Sequence, residues 1–253
     1  MKATDRGSFA VVQLPQPQTT VARCYSVVHI GTVPTIINGV QKGSADKVHI
    51  TWEMPELLAV FDEDKGPQPF VVGIELTLST NDNSNLSKLV SQWRGRPFTQ
   101  QEKAGFDPSI FIGRKCLLQF IHRTKKKYIG QQITEATNEN TSLVFNAIMQ
   151  LPKSMVCPDQ INESYVFDWE PMEKGEAQFD QAHFEKMPKW LQDKVKTSEE
   201  FKKYAARFYR DSSVQDAQYN PLITGQATQQ APQAATEAKP PQPAPPVAEG
   251  DEW

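Results

Sequence analysis

From Lys47 to Met54 the chain alternates without a break: Val48, Ile50, Trp52 and Met54 fall on one face, and Lys47, His49, Thr51 and Glu53 on the other. On an extended backbone successive side chains point to opposite sides, so this period belongs to a half-buried strand. Phe70 to Ser79 repeats the pattern, with Phe70, Val72, Ile74, Leu76 and Leu78 facing one way. Two such segments commit the chain to a sheet with one apolar face. Gly73, inside the second, marks a bulge or a bend.

The remaining segments fill in around that sheet. Val21 to Ile30 reads as a first strand ended by Gly31, and the Gly-rich stretch 31–46 as a long loop. Pro55 ends the second strand. Ser84 caps a helix with Leu86, Leu89, Val90 and Trp93 at helical spacing, stopped by Gly95 and Pro97. Thr99-x-x-Glu102 is a capping-box pattern for a second, short helix. Lys115 to Arg123 is a strand, Thr124 to Lys127 a basic turn, and Tyr128 to Ala136 the returning strand of that hairpin. Leu143 to Leu151 and Tyr165 to Trp169 are further extended segments. From residue 180 the pattern is helical. Pro188 sits near one helix start, and Ser198 caps Glu199 to Tyr209, whose stripe is Phe201, Tyr204, Ala205 and Phe208.

The class is mainly β with helical additions. Three strands, a helical insert and then a hairpin is the order of an OB-fold-like five-stranded barrel, with the insert between strands 3 and 4. An SH3-like barrel or a general α+β sheet are the alternatives. The expected organisation is an N-terminal arm over 1–20, the barrel over 21–157, an acidic strand and helical extension over 158–220 packed on the barrel, and a tail over 221–253. That tail is Pro, Gln and Ala with almost no bulky apolar side chains, a composition expected to stay disordered.

The net charge of -3 conceals a segregated pattern. The tail carries all of it, and residues 1–220 balance at 26 basic and 26 acidic side chains. Within them, residues 88–128 carry ten Lys and Arg against Glu102 and Asp107, while residues 159–185 carry eight acids against Lys174. One cationic and one anionic surface are expected, unless the two segments fold side by side and neutralise each other.

Enzyme signatures are missing: the chain has no phosphate-binding Gly-rich loop, no GxSxG and no HExxH. His29, His49, His122 and His183 are isolated, and Cys24, Cys116 and Cys157 lack metal-ligand spacing. A non-enzymatic protein without metal or cofactor is expected. Reduced thiols, no membrane-spanning stretch and no signal-peptide core point to the cytoplasm.

The chemistry that stands out is cations interleaved with aromatics. Lys88, Trp93, Arg94, Arg96, Phe98, Arg114, Lys115, Arg123, Lys125, Lys126, Lys127 and Tyr128 form the candidate nucleic-acid surface. Cations neutralise phosphates and release counterions, while aromatic faces stack on bases. Core packing is the competing role for Trp93, Phe98 and Phe120. Tyr128, directly after the lysine turn, is the leading stacking candidate. A second candidate site is the acidic tip Asp251-Glu252-Trp253, where a terminal ring suits a partner's apolar pocket and the acids its basic rim.

Several stretches resemble a family of bacteriophage proteins regarded as single-stranded DNA-binding. They are Ala22-Arg23-Cys24 to Ile30-Gly31, Lys47 to Glu53, Leu86 to Leu89 leading into Trp93-Arg94-Gly95-Arg96-Pro97-Phe98-Thr99, Ile112 to Cys116, and Met187-Pro188-Lys189-Trp190-Leu191. The plan of barrel, linker and acidic-aromatic tip is similar to single-strand binders at large. The resemblance implies ssDNA binding in phage replication or recombination, partner proteins recruited through the tip, and a host-cytoplasmic location. This chain departs from most bacterial members in ending with Trp after three acids, and in carrying the acidic segment 159–210. A non-enzymatic phage adaptor or virion-associated protein without DNA binding is the alternative reading.

Overall fold

A computed structural model describes residues 12–37, 39–124, 128–129, 132–133, 141–206 and 208–209. The chain divides into a unit of Met1–Tyr209 and a unit of Arg210–Trp253, and the second lies outside the described residues. So do the lysine turn Lys125–Lys127, most of the expected strand to Ala136, the tail and the tip.

The strands are β1 (Gln18–Ile37), β2 (Val40–Val60), β3 (Pro67–Thr77), β4 (Lys115–Thr124), β5 (Tyr128–Ile129), β6 (Gln132–Ile133), β7 (Thr141–Gln150) and β8 (Tyr165–Phe167). Six of them form one sheet in the order β3-β2-β1-β4-β7, with β8 added in parallel against β1, while β5 and β6 pair only with each other. The five strands of the path are antiparallel, and among the described residues no ladder joins β3 to β7, so the sheet is not closed.

The alternating segment has its expected core face, since Val48, Ile50, Trp52 and Met54 are all buried. The strands run further than their breakers suggested. β1 continues through Gly31, held at a φ of 91°, and pairs with β2 as far as Ile37 and Val40. The stretch expected as a loop over 31–46 is thus a hairpin arm. Between the paired ends Ile37 and Val40 the chain reverses through Gly39, whose φ of 77° is one that glycine adopts without strain. Pro55 does not end β2 either. It falls in the register shift between Met54 and Leu58, where its missing N–H breaks no ladder bond. Gly73 sits in unbroken register opposite Thr51, so it marks neither bulge nor bend.

The expected hairpin between Lys115–Arg123 and Tyr128–Ala136 is replaced by a longer-range pairing. β4 joins β7, from Cys116 opposite Gln150 to Thr124 opposite Thr141. Both strands are ten residues long, enough to form a long ladder, whereas β5 and β6 hold two residues each.

Helix α1 (Asn85–Arg94) starts on the Ser84 hydroxyl, which accepts from the Ser87 N–H, and stops at Gly95, left-handed at a φ of 73°. It buries Leu86, Leu89, Val90 and Trp93 and touches both β3 and β7. Helix α2 (Gln100–Ala104) has the full capping box of Thr99 and Glu102.

Described residues between Tyr165 and Tyr209 cover the other face of β1. Val28, Ile30 and Val33 bury into a second core with Phe167, Trp169, Phe184, Met187, Leu191, Val195, Phe201 and Ala205. Its helical pieces are α3 (Glu170–Glu173), α4 (Gln181–Glu185) and α5 (Lys189–Val195), followed by a π-helical turn over Phe201–Ala205. That turn replaces the expected regular helix from Glu199. Phe201 and Ala205 are buried, whereas Phe208 of the expected stripe is 43% exposed.

Candidate nucleic-acid interface

The most distinctive motif of the sequence, Trp93 to Thr99, folds into a compact knot. Trp93 is fully buried, stacked on Phe111 at 5.0 Å and tilted against Trp52 at 5.7 Å, and its indole N–H donates to the Lys115 carbonyl at 3.0 Å. Gly95 turns the chain so that two guanidinium groups reach one carboxylate. Arg94 pairs with Glu102, and Arg96 donates to both of its oxygens at 2.8 and 3.0 Å. Glu102 also accepts from the Thr99 backbone N–H at 2.7 Å. Arg96, the Thr99 N–H and Arg94 together hold its carboxyl well below the usual range. Arg94 lies over the Phe98 ring, and Phe98 packs edge-on against Phe106. Trp93 and Phe98 are therefore core residues, and neither presents a face to a base.

The other expected contacts divide. Lys88, Lys115 and Arg123 are exposed. Arg114 is half-buried, with its Nε near the Ile110 carbonyl at 3.4 Å. Tyr128 is described as strand backbone only, and Lys125, Lys126, Lys127, Asp251, Glu252 and Trp253 lie outside the described residues.

Sequence reasoning missed a slot of ≈ 690 Å³ on the outer face of β2 and β3. One wall is sheet, with Tyr25, Thr51, Val71 and Gly73. The other is the segment 162–165 with Lys186, Pro188 and Trp190. Trp190 is 56% exposed at the start of α5, whose Leu191 and Val195 are buried in the second core. Its ring meets His49 edge-on at 5.1 Å. Gly73 makes room for that imidazole, because a Cβ there would lie 2.4 Å from His49 Cε1. Burial pushes His49 down to about 4, outweighing the pull of Glu75, so the ring is neutral at pH 7. Beside it Glu75 is paired with Lys47 and Lys194, which hold its carboxyl low despite burial. Burial and the Glu53 charge push the Tyr25 hydroxyl up to about 12.

Polar anchors tie the second layer to the sheet. Glu53, wholly buried, accepts from the Ile161 N–H at 2.9 Å, the Asn162 N–H at 2.7 Å and the Asn162 amide at 2.8 Å. His29 bridges Asp46 and Asp168 at 2.8 Å each. Burial opposes its proton, but hydrogen bonds to the two carboxylates prevail and push it up to about 10. Glu200 accepts from the backbone N–H and hydroxyl of Thr32. Part of the signal for these anchors was present: His29 and Glu53 are ionisable residues on expected strands, and the alternation puts Glu53 on the face opposite Trp52 and Met54.

Cys24, Cys116 and Cys157 are buried free thiols, and among the described residues no group of His, Cys, Asp and Glu has the arrangement to hold a metal ion. No helix of the described residues is long and apolar enough to cross a membrane. Compared with known proteins, the chain matches no family model, no curated protein and no solved structure.

Proposed function

We propose that this chain is a non-enzymatic single-stranded DNA-binding protein of phage replication or recombination, built on an OB-type barrel. The path β3-β2-β1-β4-β7, with α1 between the third and fourth strands, supports that reading. An OB barrel has this strand order and holds its ligand on the outer face of strands 2 and 3. The observation that carries the reading is the slot on that same face, edged by an exposed Trp190. The exposed cations Lys88, Lys115 and Arg123 add phosphate-neutralising charge. In this reading the tip Asp251-Glu252-Trp253 recruits replication or recombination proteins.

A fluorescence titration with oligo-dT, duplex DNA and single-stranded RNA at two salt concentrations tests it. Oligo-dT is expected to bind, with affinity falling on a logarithmic slope of about -2 if three phosphates are neutralised. A chain lacking residues 249–253 is expected to bind oligo-dT as well or better. Absence of binding at low salt refutes the proposal.

A further inference from the structure

The slot between the sheet and α5 is not a phosphate track. Among its lining residues Lys186 is the sole Lys or Arg, with Glu163 at 3.9 Å. His49 is held neutral, and Ser26, Thr51, Asn162 and Ser164 supply uncharged donors and acceptors. Neutral hydrogen-bonding groups beside an aromatic ring match the edge and face of an unpaired base better than they match a backbone of charges.

Trp190 is what such a base would meet first. Trp52, Trp93 and Trp169 are fully buried, so the chain has no difficulty in hiding indoles, yet Trp190 is left 56% exposed. It is not on a loose element, because the next residue, Leu191, is 2% exposed and Val195 is fully buried. The ring is braced at one side by His49, which in turn occupies the space that the missing side chain of Gly73 leaves over β3. Gly73, His49 and Trp190 thus form a line of contacts from the sheet to the mouth of the slot. A braced, exposed indole loses little freedom on stacking, which favours its use as a platform.

On the single-strand reading proposed above, we infer that this slot is a base-binding site: an unpaired base stacks on Trp190, and Ser26, Thr51, Asn162 and Ser164 meet its edge. The stacking face then belongs to the C-terminal extension, not to the basic segment 88–128. Phosphates stay at the rim near Lys186. Gly73 acts as a positioning residue through His49. Duplex DNA, whose bases are already paired and stacked, has no base to offer.

The test compares oligo-dT with an abasic strand of equal length and equal phosphate count, both at low salt, with the full chain. The wild-type protein is expected to prefer oligo-dT by roughly 5- to 150-fold, the gain from one stacked base. Trp190→Ala brings oligo-dT down toward the abasic affinity while leaving abasic binding unchanged, and Trp190→Phe restores most of the preference. Gly73→Ala, which leaves Trp190 in the sequence but drives His49 toward it, weakens oligo-dT selectively in the same direction. If Trp190→Ala binds oligo-dT as tightly as wild type, or loses both strands alike, the inference is overturned while single-strand binding stands. If the wild-type protein binds neither strand, it is the function itself that fails.

Discussion

Two histidines give this protein a stability profile with a limb on each side of neutrality. His29 is charged in the folded state to about pH 10, against an ordinary value of 6.5. A raised folded value means that its contribution is fully present below pH 6.5 and is lost as pH climbs through about 10. His49 has the opposite sign. Its folded value of about 4 means that the unfolded chain takes up a proton first, so stability is full above pH 6.5 and is lost as pH falls toward 4. Each tenfold change in proton affinity between the folded and unfolded chain is worth about 1.4 kcal/mol. The His49 limb is therefore about 3 kcal/mol. The His29 limb has a ceiling of about 5 kcal/mol, but its partners Asp46 and Asp168 are 41% and 37% exposed, and solvent screening reduces it to about 2–3 kcal/mol. The groups facing His49 from the neighbouring strand and α5, Glu75 and Lys194, stay paired with each other across the acid limb until the carboxylate protonates. Urea unfolding followed by far-ultraviolet circular dichroism at pH 4.5, 7 and 9.5 measures both limbs. His29→Gln removes one titrating group, so the wild-type advantage over it is expected to shrink between pH 6.5 and 10. Comparing the two chains cancels the Lys and Tyr titrations that occur in the same range. His49→Gln is expected to flatten the acid limb alone. A wild-type to His29→Gln difference that stays constant with pH refutes the linkage.

Two further substitutions separate fold from function. Glu53→Gln is expected to cost about 2–3 kcal/mol in the same urea assay, because the three N–H donors that meet this wholly buried carboxylate then face a carboxamide that accepts through one oxygen and presents its own donors. Trp93→Phe is expected to cost about 1–3 kcal/mol by deleting the bond to the Lys115 carbonyl and part of a fully buried ring, while oligo-dT affinity of the folded protein stays unchanged. A fall in that affinity with unchanged stability would return Trp93 to the DNA surface.

How much of this was legible depends on which physical rule wrote each feature. The inner face of β2 was readable because Val48, Ile50, Trp52 and Met54 repeat the period of the strand itself. α1 and α2 were readable because caps are local chemistry, as with Ser84, Gly95 and the Thr99–Glu102 box. The pairing of β4 with β7 was not, since Thr124 meets Thr141 across a segment whose own residues suggested a tighter hairpin. The outer face failed for a different reason. Alternation puts His49 and Glu53 opposite the apolar core face, and here that side is covered by a second layer which meets them with Trp190 and the N–H groups of Ile161 and Asn162, as it meets His29 with Asp168. A strand position that is polar because water covers it and one that is polar because a buried partner does look the same in one sequence.

That ambiguity also alters the charge argument. Counted along the chain, residues 88–128 are strongly cationic, and phosphate contact was the natural use for Arg94 and Arg96. In the fold both converge on Glu102, and Lys103 lies 2.7 Å from Asp82. Charge already committed to neighbouring carboxylates releases fewer counterions when DNA arrives, so the expected salt slope is set by Lys88, Lys115 and Arg123 rather than by all ten cations. A single-strand binder with a reduced phosphate term has to draw more of its affinity from bases. The neutral slot under Trp190 is where this chain has the ring and the uncharged hydrogen-bonding groups for that purpose. The two measurements are therefore linked: a shallow salt slope should accompany a large preference for oligo-dT over the abasic strand, and a steep slope with no such preference would return the binding energy to the cations.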